Sequence, residues 1–354
     1  MRWGKLIVRV KDRKIAKQRF QCSDCKKSFL YKKDNEKLTV ATKRKLTKLY
    51  LEGRTSYRTL ASHHGLDKNT VYRVVLELIS NLPSPRMIAK ALKPKWGHIL
   101  AVDGKYVRVF DWSAEHFDFT TRERRFSHKK VFLAGIDLRT SDIPYVRLGD
   151  EETMIDLMMY FEGLREVGYD LQVLVSDGNP DIERAARKVY GDNFSFQLCH
   201  KHFLEGLRRY LNEETEERKP DTEQLITEIG KALVRGRQVE FWGRTEAQHK
   251  IIKSYEKNHE KLSVWTRIKG VPRTSNQIEN LFRQLNLRLK TVNQFQTYEN
   301  AEYYLNALVL ARRFTKFTCC RGKNKMKNGK APLELANCNI EEIDYLKTNS
   351  IFRR

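Results

Sequence analysis

The chain has 354 residues, 40% of them hydrophobic, enough for a sizeable core and two or three domains. Lys and Arg total 68 against 44 Asp and Glu, a formal net charge of +24 with a pI near 9.7, and this excess is spread over every segment, which points to a polyanionic partner, nucleic acid. No apolar run approaches the roughly 20 residues that span a bilayer, Met1 is not followed by a signal-peptide pattern, and six cysteines without a secretory signal suit a reducing compartment, so membrane and secreted classes are set aside.

Residues 1–38 are short, basic and strand-like around "KLIVRV" and "KQRFQCSDCKKSFLY". Cys22 and Cys25 have the spacing of one zinc knuckle, but a structural zinc takes four ligands and no second pair lies nearby, so the segment reads as a partial zinc-ribbon-like unit with an incomplete site. Residues 39–82 carry three helical periods. The first is marked by Leu46, Leu49 and Tyr50 and stops at Gly53; the second by Tyr57, Leu60 and Ala61 and stops at Gly65. Asp67 can cap the third, whose apolar face is Val71, Val74, Val75 and Leu78. That is an all-α helix-turn-helix pattern, in which Lys68, Asn69, Thr70 and Arg73 would face a DNA major groove.

"NLPSPR" reads as a linker, and a new domain is expected from about residue 95 to 318. Strands are predicted at 98–110, 129–140 and 143–150, the last two joined by a turn at Ser141–Asp142. A helix in "ETMIDLMMYFEGLREVG", the strand "LQVLVSDG", a helix from Pro180 and the strand "FSFQLCH" follow, which makes an α/β layer with a mixed sheet. Residues 205–275 read as helical and highly charged, with "NEETEERKPDTE" solvated. Two long helices, "SNQIENLFRQLNLRLK" and "YENAEYYLNALVLARRFTKF", precede a basic tail over 319–354 that reads as a flexible arm.

Asp103 and Asp177 each end or bend an apolar strand, and strand ends adjacent in a sheet can bring two carboxylates close, which is costly unless a cation neutralises them. Hard divalent ions such as Mg²⁺ suit oxygen ligands, and two of them about 3.5–4 Å apart can activate the attacking hydroxyl and stabilise the leaving oxygen of a phosphodiester. Glu279, early in an amphipathic helix beside Asn276, Gln277 and Asn280, is the third candidate ligand, with Arg283, Arg288 and Lys290 following as DNA contacts. Asp137 competes because it too ends an apolar strand. Asp181 and Glu183 are explained by a helix start, and Asp111 and Glu115 belong to a polar loop.

The stretches "AVDGKYVRV", "VLVSDGNPDIERAARKVY", "QLCHKH" and "RTSNQIENLFRQLNLRLKT" together resemble the DDE transposases of prokaryotic insertion sequences, which have an RNase H-like catalytic core. The subgroup it looks most like is the mutator type, with a C-x-x-H pair after the second Asp and a helical insertion before the Glu; here these are Cys199 with His202, and about 205–270. The resemblance implies an RNase H-like mixed-sheet core that binds Mg²⁺ or Mn²⁺, two ions, through Asp103, Asp177 and Glu279, hydrolyses phosphodiesters at element ends and transfers strands into target DNA. It implies a homo-oligomer on DNA, a cytoplasmic, nucleoid-associated location, and Cys199 and His202 as accessory core residues, with His200 a second local candidate. Related proteins often begin with two CxxC pairs, whereas this chain has Cys22 and Cys25 alone, which leaves zinc without a complete site. The alternative is an inactive or domesticated DNA-binding protein derived from a transposase.

Overall fold

A computed structural model describes residues 2–10, 13–23, 25–30, 38–53, 55–110, 127–292 and 295–347. Asp111 and Glu115 lie outside these. The chain divides into two compact units, Met1–Lys45 and Leu46–Arg354.

In the first unit β1 (Arg2–Val10), β2 (Arg13–Gln21) and β3 (Ser28–Leu30) form an antiparallel sheet in that order. The turn between β2 and β3 holds Cys22 and Cys25, closed by a hydrogen bond from the Cys22 amide to the Lys27 carbonyl at 3.0 Å.

The second unit takes in most of α1 (Val40–Glu52), then α2 (Tyr57–His63), α3 (Lys68–Ile79) and α4 (Pro85–Leu92). The expected cap of the third helix holds, Asp67 accepting from the Thr70 amide at 3.1 Å, and α2 is capped by Ser56, which accepts from the Thr59 amide. The stretch read as a linker folds instead. Ser84 caps α4, Pro85 occupies its first turn, and the helix buries Ile88 and Ala89.

Next come β4 (Ile99–Phe110), β5 (Ser127–Asp137), β6 (Val146–Gly149), α5 (Met154–Glu166), β7 (Val173–Ser176), α6 (Pro180–Tyr190) and β8 (Ser195–Leu198). The five strands lie in the order β6-β5-β4-β7-β8, with β4, β5 and β6 antiparallel and β4, β7 and β8 parallel. The mixed α/β layer is consistent with an RNase H-like core. The two-residue period of the strands divides the apolar side chains between two cores. Ala101, Val107, Phe132 and Ala134 face one cluster, and Leu100, Val102, Val131 and Leu133 face the other with Leu157, Tyr160 and Phe161 of α5. The central β7 is buried at every position, as a parallel strand covered on both faces must be.

After β8 the chain is helical through α7 (His200–Leu207), α8 (Lys219–Arg235), α9 (Glu246–Leu262) and α10 (Val264–Arg267). Then α11 (Asn276–Val292) and α12 (Tyr298–Phe314) cover the first face of the sheet through Ile278, Phe282, Leu305 and Val309. The helices read as a separate DNA-binding domain pack on these two: Tyr50 of α1 meets Tyr304 of α12 at 5.6 Å between ring centres, and Asn300 donates to the Tyr72 hydroxyl at 3.1 Å. Asp142, expected in a simple turn, is fully buried. It accepts two 2.8 Å hydrogen bonds from the buried Arg313 guanidinium and one from Trp96 at 2.9 Å, which ties the β5–β6 connection to α12.

The tail does not behave as the flexible arm expected from its charge. A short helix, α13 (Pro332–Leu335), follows a 3₁₀ turn, and Leu333, Ala336, Ile340, Tyr345 and Leu346 are buried. Apolar residues spaced among the polar ones of "APLELANCNI" supply the burial that "RGKNKMKNGK" lacks.

Candidate functional site

The parallel register of β4 and β7 places the two aspartates together. The last paired residues are Ala101 and Val175, and Asp103 and Asp177 each lie two residues beyond, on the same face of the sheet. Asp177 follows the end of β7, as expected. Asp103 is not at a strand end: β4 continues to Phe110, paired with β5 throughout, while β7 stops alongside it. The aspartate is therefore held on a continuous strand, between the part of its other edge paired with β7 and the part bridged by Phe295.

Asp103 is half-buried and accepts the Gly104 amide at 2.7 Å. Burial first, and then the charges of Asp177, Glu152 and Glu279, push its carboxyl up to about 7. Asp177 accepts from the Ser176 hydroxyl at 3.1 Å and the Asn179 amide at 3.2 Å. Gly178 makes this turn with a φ of +100°, a conformation side chains other than glycine rarely take. Glu152, just before α5, accepts from the Asn179 side chain at 3.0 Å, and burial and the Asp177 charge raise its carboxyl. It comes in over Gly104, where an added methyl would stand 3.0 Å from its oxygen.

Glu279 lies in the first turn of α11, and its carboxyl is held low mainly by the Lys201 ammonium, which donates to it at 2.8 Å. His202 Nε2 stands 3.8 Å from it, and the Ser275 hydroxyl donates to it at 3.4 Å. Cys199 is buried and accepts from the Ser275 amide and hydroxyl, each at 3.4 Å, so it anchors the start of α11. Asp177, Glu152 and Glu279 thus lie near enough to Asp103 for their charges to act on it, with Cys199 at the start of the helix that carries the glutamate and His202 beside that glutamate. His200 is not part of this group: it is buried and donates to the Leu262 carbonyl at 2.7 Å, and desolvation lowers its pKa.

The remaining acids have structural partners. Asp137 is fully buried and accepts from the Gly97 and Thr140 amides and from the Thr140 and Tyr169 hydroxyls. Asp181 pairs with Arg184, and Glu183 with Arg187 and Lys261.

Among the described residues no three His, Cys, Asp or Glu side chains stand together as a set that could hold a metal ion. The donor type at Asp103, Asp177 and Glu279 is nonetheless the one a hard divalent cation takes: the donors are all carboxylate oxygens, and burial first, then neighbouring acids, raise Asp103 and Glu152. Glu279 alone is neutralised, by Lys201. Cys22 and Cys25 offer zinc two thiols in one turn.

Two hollows carry the expected DNA contacts. Arg283 and Lys290 line one of about 600 Å³ with Lys105, Tyr106 and Arg108 of β4. Lys68, Asn69 and Arg73 line a second; Thr70 is half-buried, and its amide serves the cap of α3. Arg288 is a correction. It is only 7% exposed and turns to the Tyr304 side of α11, because the helical period puts it on the face that covers the sheet.

Glu152, Asn179, Lys201 and Ser275 were not singled out from the sequence. Three of them stand inside the motif stretches, where neighbourhood was the available signal. Glu152 had none beyond following a strand.

No protein-family model matches the chain, and no curated protein matches it either. Among solved structures it is similar to one described as the Mos1 transposase paired-end complex with left transposon end, at 15% identity over 75% of this chain and 82% of that one, with a TM-score of 0.22. At that TM-score the likeness carries no weight, and the functional reading rests on the residues around Asp103.

Proposed function

We propose that the chain is a DDE-type DNA transposase of the mutator type, encoded by an insertion sequence, that cuts phosphodiesters at element ends and joins the freed strand to target DNA. The observation that supports this reading most is the convergence on Asp103 of carboxylates from separate elements: Asp177 after β7, Glu152 before α5 and Glu279 in α11, in a chain of net charge +24. Asp103, Asp177 and Glu279 would hold the divalent cations, Mg²⁺ or Mn²⁺, with Glu279 released from Lys201. Such ions, when bound, supply the positive charge that offsets that of a phosphodiester under attack. The protein's own part is positional. The Asn179 amide and Ser176 hydroxyl fix the direction of the Asp177 carboxylate, and Cys199 and Ser275 fix the start of the helix that carries Glu279. The partner is DNA, terminal repeat and target in turn, with the chain acting as a homo-oligomer.

With Mg²⁺ or Mn²⁺ the purified protein should nick or cut DNA bearing its element's inverted repeats, and Asp177→Asn should abolish this while DNA binding persists. Unchanged cleavage by that variant would sink the assignment. A second reading, a non-catalytic DNA-binding descendant of such an enzyme, draws support from the Lys201–Glu279 ion pair, which occupies a carboxylate that catalysis requires. No cleavage by the wild-type protein, with binding retained, would establish it.

A further inference from the structure

The second hollow, of about 700 Å³, lies where α3 meets α11 and α12. Its floor is aromatic. Tyr57 stacks on Tyr50 at 4.1 Å and meets Tyr72 edge-on at 5.4 Å, and Tyr304 and Phe295 complete the lining. Its rim is polar: the cations are Arg58, Lys68 and Arg73, the amides Asn69, Gln296 and Asn300, and among the described residues no carboxylate lines it.

Some cations of this molecule are matched with acids, as in Lys250 with Glu213 and Glu246, or Arg208 with Glu223. Arg58, Lys68 and Arg73 are exposed and form no salt bridge with a described residue. A concave site of this size with an aromatic floor, amide hydrogen-bonding groups and uncompensated positive charge matches a planar heterocycle attached to a phosphate. Reading a duplex through its major groove needs a protruding helix that enters the groove. Here the residues at the start of α3 are instead the wall of a hollow.

We propose that this hollow binds an unpaired nucleotide of a DNA strand, its base against Tyr72 and Tyr57 and its phosphates on Arg58, Lys68 and Arg73. The hollow shares Val292 and Phe295 with the basic one beside β4, so the two adjoin. A strand whose phosphates follow Arg283 and Lys290 would reach the hollow with its next bases. The inference rests on the reading that the chain works on DNA, and adds that part of that DNA is held unpaired.

The test is binding by the full chain in EDTA, without cleavage, of a single-stranded oligonucleotide carrying 2-aminopurine, of the same sequence as duplex, and of free deoxyadenosine monophosphate. The single strand should bind best, with the change in 2-aminopurine fluorescence that stacking produces. Tyr72→Leu should weaken single-strand binding about tenfold, and Tyr72→Phe, which keeps the ring, much less. Arg58→Gln, at an exposed position that leaves the core intact, should lower both affinity and its salt dependence. Equal losses for duplex and single strand would make the hollow a duplex surface, and free nucleotide bound as tightly as the oligonucleotide would make it a small-molecule site; either overturns the proposal. So would full binding by Arg58→Gln and a folded Tyr72→Leu. Because binding is read without metal, a separate failure to cleave once Mg²⁺ or Mn²⁺ is added, with these binding effects intact, would remove the transposase reading alone.

Discussion

Asp103 shows how a single position can carry opposing demands. Its carboxyl is pushed from 3.8 up to about 7, chiefly by burial. Between those values the folded chain holds a proton that the unfolded chain has released, so stability is greatest below the lower value and falls as pH rises through the interval. In metal-free protein, Asp103→Asn should therefore raise stability by about 1–3 kcal/mol at about pH 8, and the gain should vanish near about pH 4. Thermal denaturation across that range checks it, and a gain that persists at low pH would show that packing and not charge is responsible. Asp137 looked similar in sequence, yet four hydrogen bonds from its surroundings give it a structural role. Both are aspartates closing apolar runs; the difference is in the partners that the fold supplies.

Elements were legible where local chemistry suffices. The capping residue Asp67, the strand run of β4 and the amphipathic character of α11 were all visible in order. Asp67→Ala should lower stability by about 1 kcal/mol through the lost bond to the Thr70 amide, measurable by urea denaturation. Asp67→Asn, which can still cap, should lose less. Other features depended on neighbours and were misread. "NLPSPR" begins α4 because Ser84 and Pro85 suit a helix start as well as a linker, and burial of Ile88 decides between them. Arg288 looked like a phosphate contact among basic neighbours, but its angular position on α11 turns it inward.

At the scale of the whole molecule, the C-terminal segment belongs to the second unit's core. The Lys95 amide donates to the Ala336 carbonyl, and Tyr345 donates to Glu52 of α1. A chain ending at Lys330 should lose the burial of Leu333 and Leu346, worth about 1.5–3 kcal/mol each, and its thermal midpoint should drop accordingly. An unchanged midpoint would mean that the segment is a passenger on the surface.

The sequence by itself determined the composition-level expectation of a polyanionic partner, the cap of α3, the strand runs and the choice of three candidate acids, because charge, capping and hydrophobic period act over a few residues. Only the tertiary structure decided what surrounds those acids. The parallel register of β4 with β7 set Asp103 beside Asp177, Lys201 met Glu279 from a distant part of the chain, and Glu152 joined over a glycine. Such contacts depend on how strands pair and helices pack across the sheet, which no local pattern encodes.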